Sequence, residues 1–197
     1  MAQSDETIRR FLAGDAEAFN QLVRQWETRI FNLAWRFLGN REDAQDVMQE
    51  TFLSVFQSLA GLREPRSFPT WIYRITLNHC RARWRARQPV ISLDQPSPEG
   101  DGGEGALTAV LQTPSGAERV EAADLIRKAI AGISEDHRAA IILKEYLGLS
   151  LEEVAVVMDC PLSTAKSRLY HGLRGVQRNL KRISPGSDGP SRGSHEM

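Results

Sequence analysis

Apolar residues recur at steps of three and four from Phe19 onward. Phe19, Leu22, Val23, Trp26, Ile30, Leu33, Ala34 and Phe37 fall on one face of a long helix. Asp15 stands at its cap position and Gly39 at its stop. Before it, Ser4 predicts the cap of a short helix ending at Gly14. Asn40, with Asp43 following, opens the next helix, whose inner face is Ala44, Val47, Met48, Thr51 and Val55, and Gly61 closes it. Leu62 to Phe68 reads as a loop around Pro65, and Pro69 suits the first turn of a helix reaching about Arg87.

The periodicity then lapses. Residues 89–114 are rich in proline and glycine and show no apolar face, so they predict a flexible acidic linker whose apolar groups (Val90, Ile91 and Leu93 among them) serve a plain tether. Helical pattern returns with a capping box at Ser115 and Glu118 and runs to about Gly132. Ser134 caps a further helix stopped by Gly148. Ser150 and Glu153 form another capping box, with Leu149 and Val154 as a staple across it. Ser163 predicts the cap of a last helix with Ala165, Leu169, Leu173, Val176, Leu180 and Ile183 inward. The tail, 184–197, is glycine, proline, serine and charge, which predicts disorder. No strand alternation appears. The fold class expected is all-α: two small helical domains, 1–88 and 115–183, on a tether.

At 197 residues the chain has room for two such domains, and its formal net charge of zero conceals strong segregation. Arg63 to Arg87 holds seven arginines against Glu64 alone. Residues 91–124 hold seven acids against Arg119, and Ser163 to Arg182 holds six bases and no acid. Asp43, Asp46 and Glu50 share one helical face; Trp71, Arg74, Asn78, Arg81 and Arg85 share a face of the next helix. Surfaces of opposite sign on adjacent helices suit a protein that grips a basic partner and a nucleic acid together.

Other chemistries find less support. Cys80 and Cys160 lack CxxC spacing, and adjacent His79 and Cys80 point about 100° apart, so neither a disulfide framework nor a metal site is expected. Cys80 should pack and His79 lie near the surface. No stretch approaches the roughly 18 apolar residues of a membrane span, which predicts a soluble, cytoplasmic protein. No Gly-rich phosphate loop, GxSxG or HExxH is present, so neither a cofactor nor enzyme activity is expected.

Leu151 to Arg182 fits a helix-turn-helix. Lys166 and Arg168 lie in the first two turns of its second helix, where the helix dipole disfavours cations. That placement makes sense if this end enters a phosphate-lined groove. Thr164, Lys166, Ser167, Tyr170, His171 and Arg174 are left free to face it. In the arginine helix, Trp71, Tyr73 and Trp84 offer flat faces for an unstacked base, though at least one of them should be core. Leu53 falls in register with Asp46 and Glu50 on a face that should be polar, which marks that face, with Gln49, as a protein-docking surface.

Three segments carry a family resemblance: Asp43 to Phe52 (DAQDVMQETF), Phe68 to Asn78 (FPTWIYRITLN) and Cys160 to Leu169 (CPLSTAKSRL). In this order and spacing they resemble the bacterial extracytoplasmic-function sigma factors, over about Asp15 to Arg182. The resemblance implies that Asp43, Asp46, Gln49 and Glu50, with Leu53, dock on the β′ clamp helices of core RNA polymerase, and that the second domain meets the β flap. Leu62, Arg63, Arg66, Phe68, Trp71, Arg74, Asn78, Arg81 and Arg85 would open and hold the promoter −10 element. Thr164, Lys166, Ser167, Arg168, Tyr170, His171 and Arg174 would read the −35 element, and an anti-sigma protein would mask both domains. Ala131-Gly132-Ile133, Ser163 and His171 depart from the usual family pattern. The rival expectation is a conventional helix-turn-helix regulator with an N-terminal sensing domain, which leaves the arginine helix and its acidic neighbour unexplained.

Overall fold

The computed structural model describes residues 2–87, 125–126 and 128–183, and its regular structure there is entirely helical. The N-terminal module is a four-helix bundle: α1 Ala2–Leu12, α2 Ala16–Leu38, α3 Arg41–Ser58 and α4 Phe68–Arg87, with single 3-10 turns at Leu59–Gly61 and Pro65–Ser67 between the last two. The C-terminal module contains α5 Glu135–Ile141, a π turn at Ile142–Tyr146, α6 Leu151–Met158 and α7 Leu162–Ile183. A helical stretch at residues 128–131 precedes α5. The expectations for the linker 89–114, for the Ser115 capping box and for the tail lie outside the described residues.

Local chemistry explains most element ends. Asp15 Oδ1 accepts from the backbone N–H of Glu17 and Ala18 at 3.1 and 3.3 Å, capping α2. Its carboxyl is held below its ordinary value, chiefly by the hydrogen bond from Arg10. Gly39 ends α2 in the left-handed region at φ 70°, a conformation that costs glycine no Cβ clash. Asn40 caps α3 and Ser134 caps α5. Both halves of the Ser150–Glu153 capping box form, at 3.1 and 2.7 Å.

Other ends differ from expectation. Ser4 lies inside α1, and its hydroxyl accepts from Trp26 Nε1 at 3.3 Å, pinning α1 to α2 rather than capping. The last helix begins at Leu162, one residue before Ser163. The turn between α6 and α7 has no glycine, and Asp159 takes the left-handed conformation at φ 54°, which short polar side chains tolerate.

The bundle core is built from Leu22, Trp26, Ile30, Leu33 and Phe37 of α2, Val47 and Val55 of α3, and Phe68, Ile72, Leu77 and Cys80 of α4. Each large aliphatic group so buried contributes about 1.5–3 kcal/mol. Burial raises the Cys80 thiol well above its ordinary pKa. The apolar cluster does not stop at the module boundary. It continues through Ala139, Leu143, Val154, Val157 and Met158, so α4 is sandwiched between its own bundle and α6. Within the C-terminal module α7 comes close to α5 at Gly172, where an added Cβ would meet the His137 carbonyl oxygen at 3.0 Å. Among the described residues no helix is long and apolar enough to cross a membrane.

Candidate functional site

On α3, Asp46, Gln49, Glu50 and Leu53 lie on the surface, with Leu53 59% exposed, as its register predicts. Asp43 departs from this pattern. It is buried, and Arg87 and Arg83 hold its carboxylate from α4. Arg83 also reaches Asp46 at 3.2 Å and Glu50 at 2.9 Å, so one guanidinium ties together the whole acidic stripe. The stripe is pre-oriented rather than loose, and each carboxylate keeps acceptor capacity for a further partner. His79 bridges the same helices, with Nε2 3.0 Å from Ser54 Oγ and Nδ1 3.3 Å from Glu50. Serine, histidine and carboxylate in line suggest a nucleophilic relay. However, Ser54 sits inside α3, where helix bonding engages the backbone donors an oxyanion would need. The bridge orients Glu50.

Sequence reasoning missed Arg83 and Phe56. Phe56 is 54% exposed beside Leu53 and packs edge-on against Phe19 at 5.0 Å, which widens the apolar part of the surface. Its position three residues after Leu53 was the available signal.

The arginine stripe of α4 forms as the spacing predicts, but not every expected contact belongs to it. Arg63, Arg66, Asn78 and Arg85 are exposed; Leu62, Trp71, Arg74 and Arg81 are half-buried. Phe68 is fully buried under Trp26, with ring centroids 5.3 Å apart, so it anchors the start of α4 and presents nothing outward. Tyr73 is likewise core, and its hydroxyl pKa is raised by burial. Trp84 is half-buried under the Arg138 guanidinium, 3.9 Å from the ring centroid.

Arg138 is the other residue that sequence reasoning missed. Only 1% exposed, it donates to the carbonyl oxygens of Phe37 at 2.8 Å and Ala131 at 2.9 Å, joining the end of α2 to the C-terminal module. Burial lowers its pKa to about 10, so it stays charged at neutral pH.

Acids of the C-terminal module meet the stripe. Asp159 pairs with Arg74, Asp136 with Arg81 at 2.6 Å and Glu135 with Arg85 at 3.7 Å. On α7, Lys166 and Ser167 are exposed, while Thr164, Arg168, Tyr170, His171 and Arg174 are half-buried. The Arg174 guanidinium lies 5.4 Å from the Tyr170 ring, and the His171 ring is tilted against that of His137 with centroids 6.2 Å apart. Desolvation, and then the charge of His171, lower the His137 pKa, while Asp136 opposes the shift. All seven residues thus lie on α7, and Arg168 pairs with Asp136 of α5 at 2.6 Å.

Residues 22–90 match the model of Sigma-70 region 2, and residues 123–174 match that of Sigma-70, region 4. The RNA polymerase sigma-H factor of Pseudomonas aeruginosa is 33% identical over 183 residues, covering 91% of this chain and 94% of that relative. The ECF RNA polymerase sigma-E factor of Escherichia coli K12 is 32% identical over 178 residues, covering 88% and 92%. Among solved structures, CnrH in complex with the cytosolic domain of CnrY superposes with a TM-score of 0.68 at 22% identity, covering 91% of this chain and 98% of that one. The sigma factor RpoE in complex with the anti-sigma factor NepR, from Bartonella quintana, gives 0.62 at 20%, covering 84% and 98%.

Proposed function

The chain belongs to the extracytoplasmic-function sigma factors, and from that premise we propose which of its faces performs each step of promoter recognition. As a member it is a transcription initiation factor that binds core RNA polymerase and directs it to promoter DNA. The rival reading, a helix-turn-helix regulator with an N-terminal sensing domain, is not favoured, because residues 22–90 match region 2.

The first module, 1–88, docks through Asp46, Gln49, Glu50, Leu53 and Phe56 on a basic and apolar surface of the polymerase. Asp43 acts from beneath, fixing Arg83 and Arg87. The neighbouring face, with Arg63, Arg66, Trp71, Arg74, Asn78, Arg81 and Arg85, receives the −10 element as a single strand. Guanidinium groups hold phosphates and Trp71 stacks a base, so that captured bases offset the few kcal/mol lost on unstacking. The second module, 115–183, presents Thr164, Lys166, Ser167, Arg168, Tyr170, His171 and Arg174 to the −35 duplex. The factor works by binding in the cytoplasm, with no chemistry of its own.

The observation that carries this reading is the pairing of an acidic-apolar face on α3 with an arginine-aromatic face on α4 within one bundle. A cavity of about 790 Å³ between the modules, lined by Trp26, Arg29, Tyr73, Tyr146, Leu149 and Glu153, is the place where an anti-sigma segment would wedge. Core polymerase stripped of other specificity subunits, mixed with this chain and genomic fragments, should give discrete run-off transcripts. Transcription with no change in start-site selectivity would overturn the proposal.

A further inference from the structure

We propose that α1 extends the polymerase-docking surface with an apolar ledge, built on a three-ring cluster that joins α1, α2 and α3. The proposal rests on the docking assignment for α3 above and adds residues that lie outside the acidic stripe. Phe11, Phe19 and Phe56 come from three different helices. Their ring centroids lie 5.4 Å apart for Phe11 and Phe19, 5.7 Å for Phe11 and Phe56, and 5.0 Å for Phe19 and Phe56, each pair tilted or edge-on. A cluster serving only to hold α1 in place would bury its rings. Phe56 is instead 54% exposed, and Leu12, which follows Phe11 at the end of α1, is 45% exposed. With Leu53, these are three of the four most exposed large apolar side chains among the described residues. Each belongs to the cluster or lies beside one of its members.

Size argues for one occupant over ledge and stripe together. Asp46 and Leu53 are seven positions apart, which is about 10 Å of helix. An interface of ordinary area covers roughly 800 Å² on each partner, a patch about 30 Å across. Polymerase seated on the stripe therefore overlaps its surroundings, and Phe56 stands only about 4.5 Å further along the axis than Leu53. The composition suits such a contact: an apolar and aromatic centre, with exposed Asn20, Gln49 and Gln57 around it.

The rings are packed on one another before any partner arrives, so presenting them costs little conformational entropy on binding. The carboxylates steer and orient the encounter, and the ledge adds a contact that salt does not screen. Phe11, Leu12 and Phe19 precede residue 22, where the match to region 2 begins, so that match does not account for them.

The test is an equilibrium titration of the fluorescein-labelled full chain with core polymerase stripped of other specificity subunits, at several salt concentrations. Leu12→Gln alters a side chain at the surface, so its helical circular dichroism and denaturant midpoint should match wild type. It should weaken binding about tenfold, by the same factor at every salt concentration, whereas Leu12→Met should keep wild-type affinity. Glu50→Gln, within the stripe, should instead flatten the salt dependence. Unchanged affinity of Leu12→Gln would overturn the ledge. So would a loss that shrinks as salt rises, because the effect would then run through the carboxylates. Self-association of the wild type that Leu12→Gln abolishes in sedimentation equilibrium, with polymerase affinity intact, would make a second copy of the chain the occupant and overturn it equally. Asp46→Arg in the same titration tests the assignment beneath. Undiminished binding there would remove the docking face altogether, whereas a large loss beside an unaltered Leu12→Gln would overturn the ledge alone.

Discussion

The acidic stripe of α3 and the arginine stripe of α4 are built alike, each from charges repeated at helical spacing, yet they are neutralised differently. The acids find Arg83 and Arg87 within their own bundle. The arginines at 74, 81 and 85 find their partners on the other module. Helix α4 manages both by carrying two arginine stripes offset by two residues, about 200° apart around its axis. Residues 83 and 87 face inward to α3, and 81 and 85 face outward. A surface whose counter-ions come from its own module persists when the modules part, whereas one whose counter-ions come from elsewhere opens with them. The acidic surface of α3 is therefore preset within its own bundle, and the neutralisation of the arginine surface of α4 depends on domain arrangement.

The comparison is broken most severely by Asp46→Arg. That change places a cation beside Arg83 on the preset face and should lower polymerase association by about 100-fold, near 3 kcal/mol, with the helical circular dichroism unchanged. Undiminished association would mean that the face is not a docking surface. Next in size is Arg138→Met. It leaves the Phe37 and Ala131 carbonyl oxygens without their donor and should cost roughly 1–3 kcal/mol, read as a lower denaturant midpoint. An unshifted midpoint would show that this junction contributes no net stability.

On the recognition helix, Lys166→Ala with Arg168→Ala should reduce the slope of log affinity against log salt by about two at the −35 duplex, measured by footprinting of the assembled polymerase. Polymerase affinity itself should not move; a parallel loss would mean that the two surfaces are not separable. The smallest effect concerns pH. His137 has a folded pKa below its ordinary 6.5, so the unfolded chain takes up the proton first, and stability is lost as pH falls through that value toward the depressed one. The melting temperature should drop on acidification across this window, and His137→Gln should flatten the decline.

Much of this was legible in the chain because helix caps are local. Asp15, Asn40, Ser134 and Ser150 each cap as their sequence neighbours predict. The misreadings occurred where a partner far along the chain decides. Ser4 has the right chemistry for a cap, but Trp26 claims its hydroxyl from α2. Phe68 looked like part of a base-holding loop, although its spacing to Ile72 and Thr76 marks the buried stripe of α4. Arg138 shares a face with Ile141 and Ile142, and a charge set among apolar neighbours was the one hint that it is buried. The π turn at Ile142–Tyr146 has no local signature that distinguishes it from ordinary helix. Charge periodicity revealed the arginine stripe but not its occupancy, because Glu135, Asp136 and Asp159 reach it only through tertiary folding.

The most direct measurement of the proposed surface assignment is permanganate mapping of unpaired thymines on promoter fragments bound by polymerase carrying this chain. Wild type should produce reactive thymines in the −10 element. Trp71→Ala with Asn78→Ala should lose them while keeping the −35 footprint. Lys166→Ala with Arg168→Ala should lose the footprint first. Reactive thymines persisting without Trp71 and Asn78, or both pairs of substitutions failing at the same step, would contradict it.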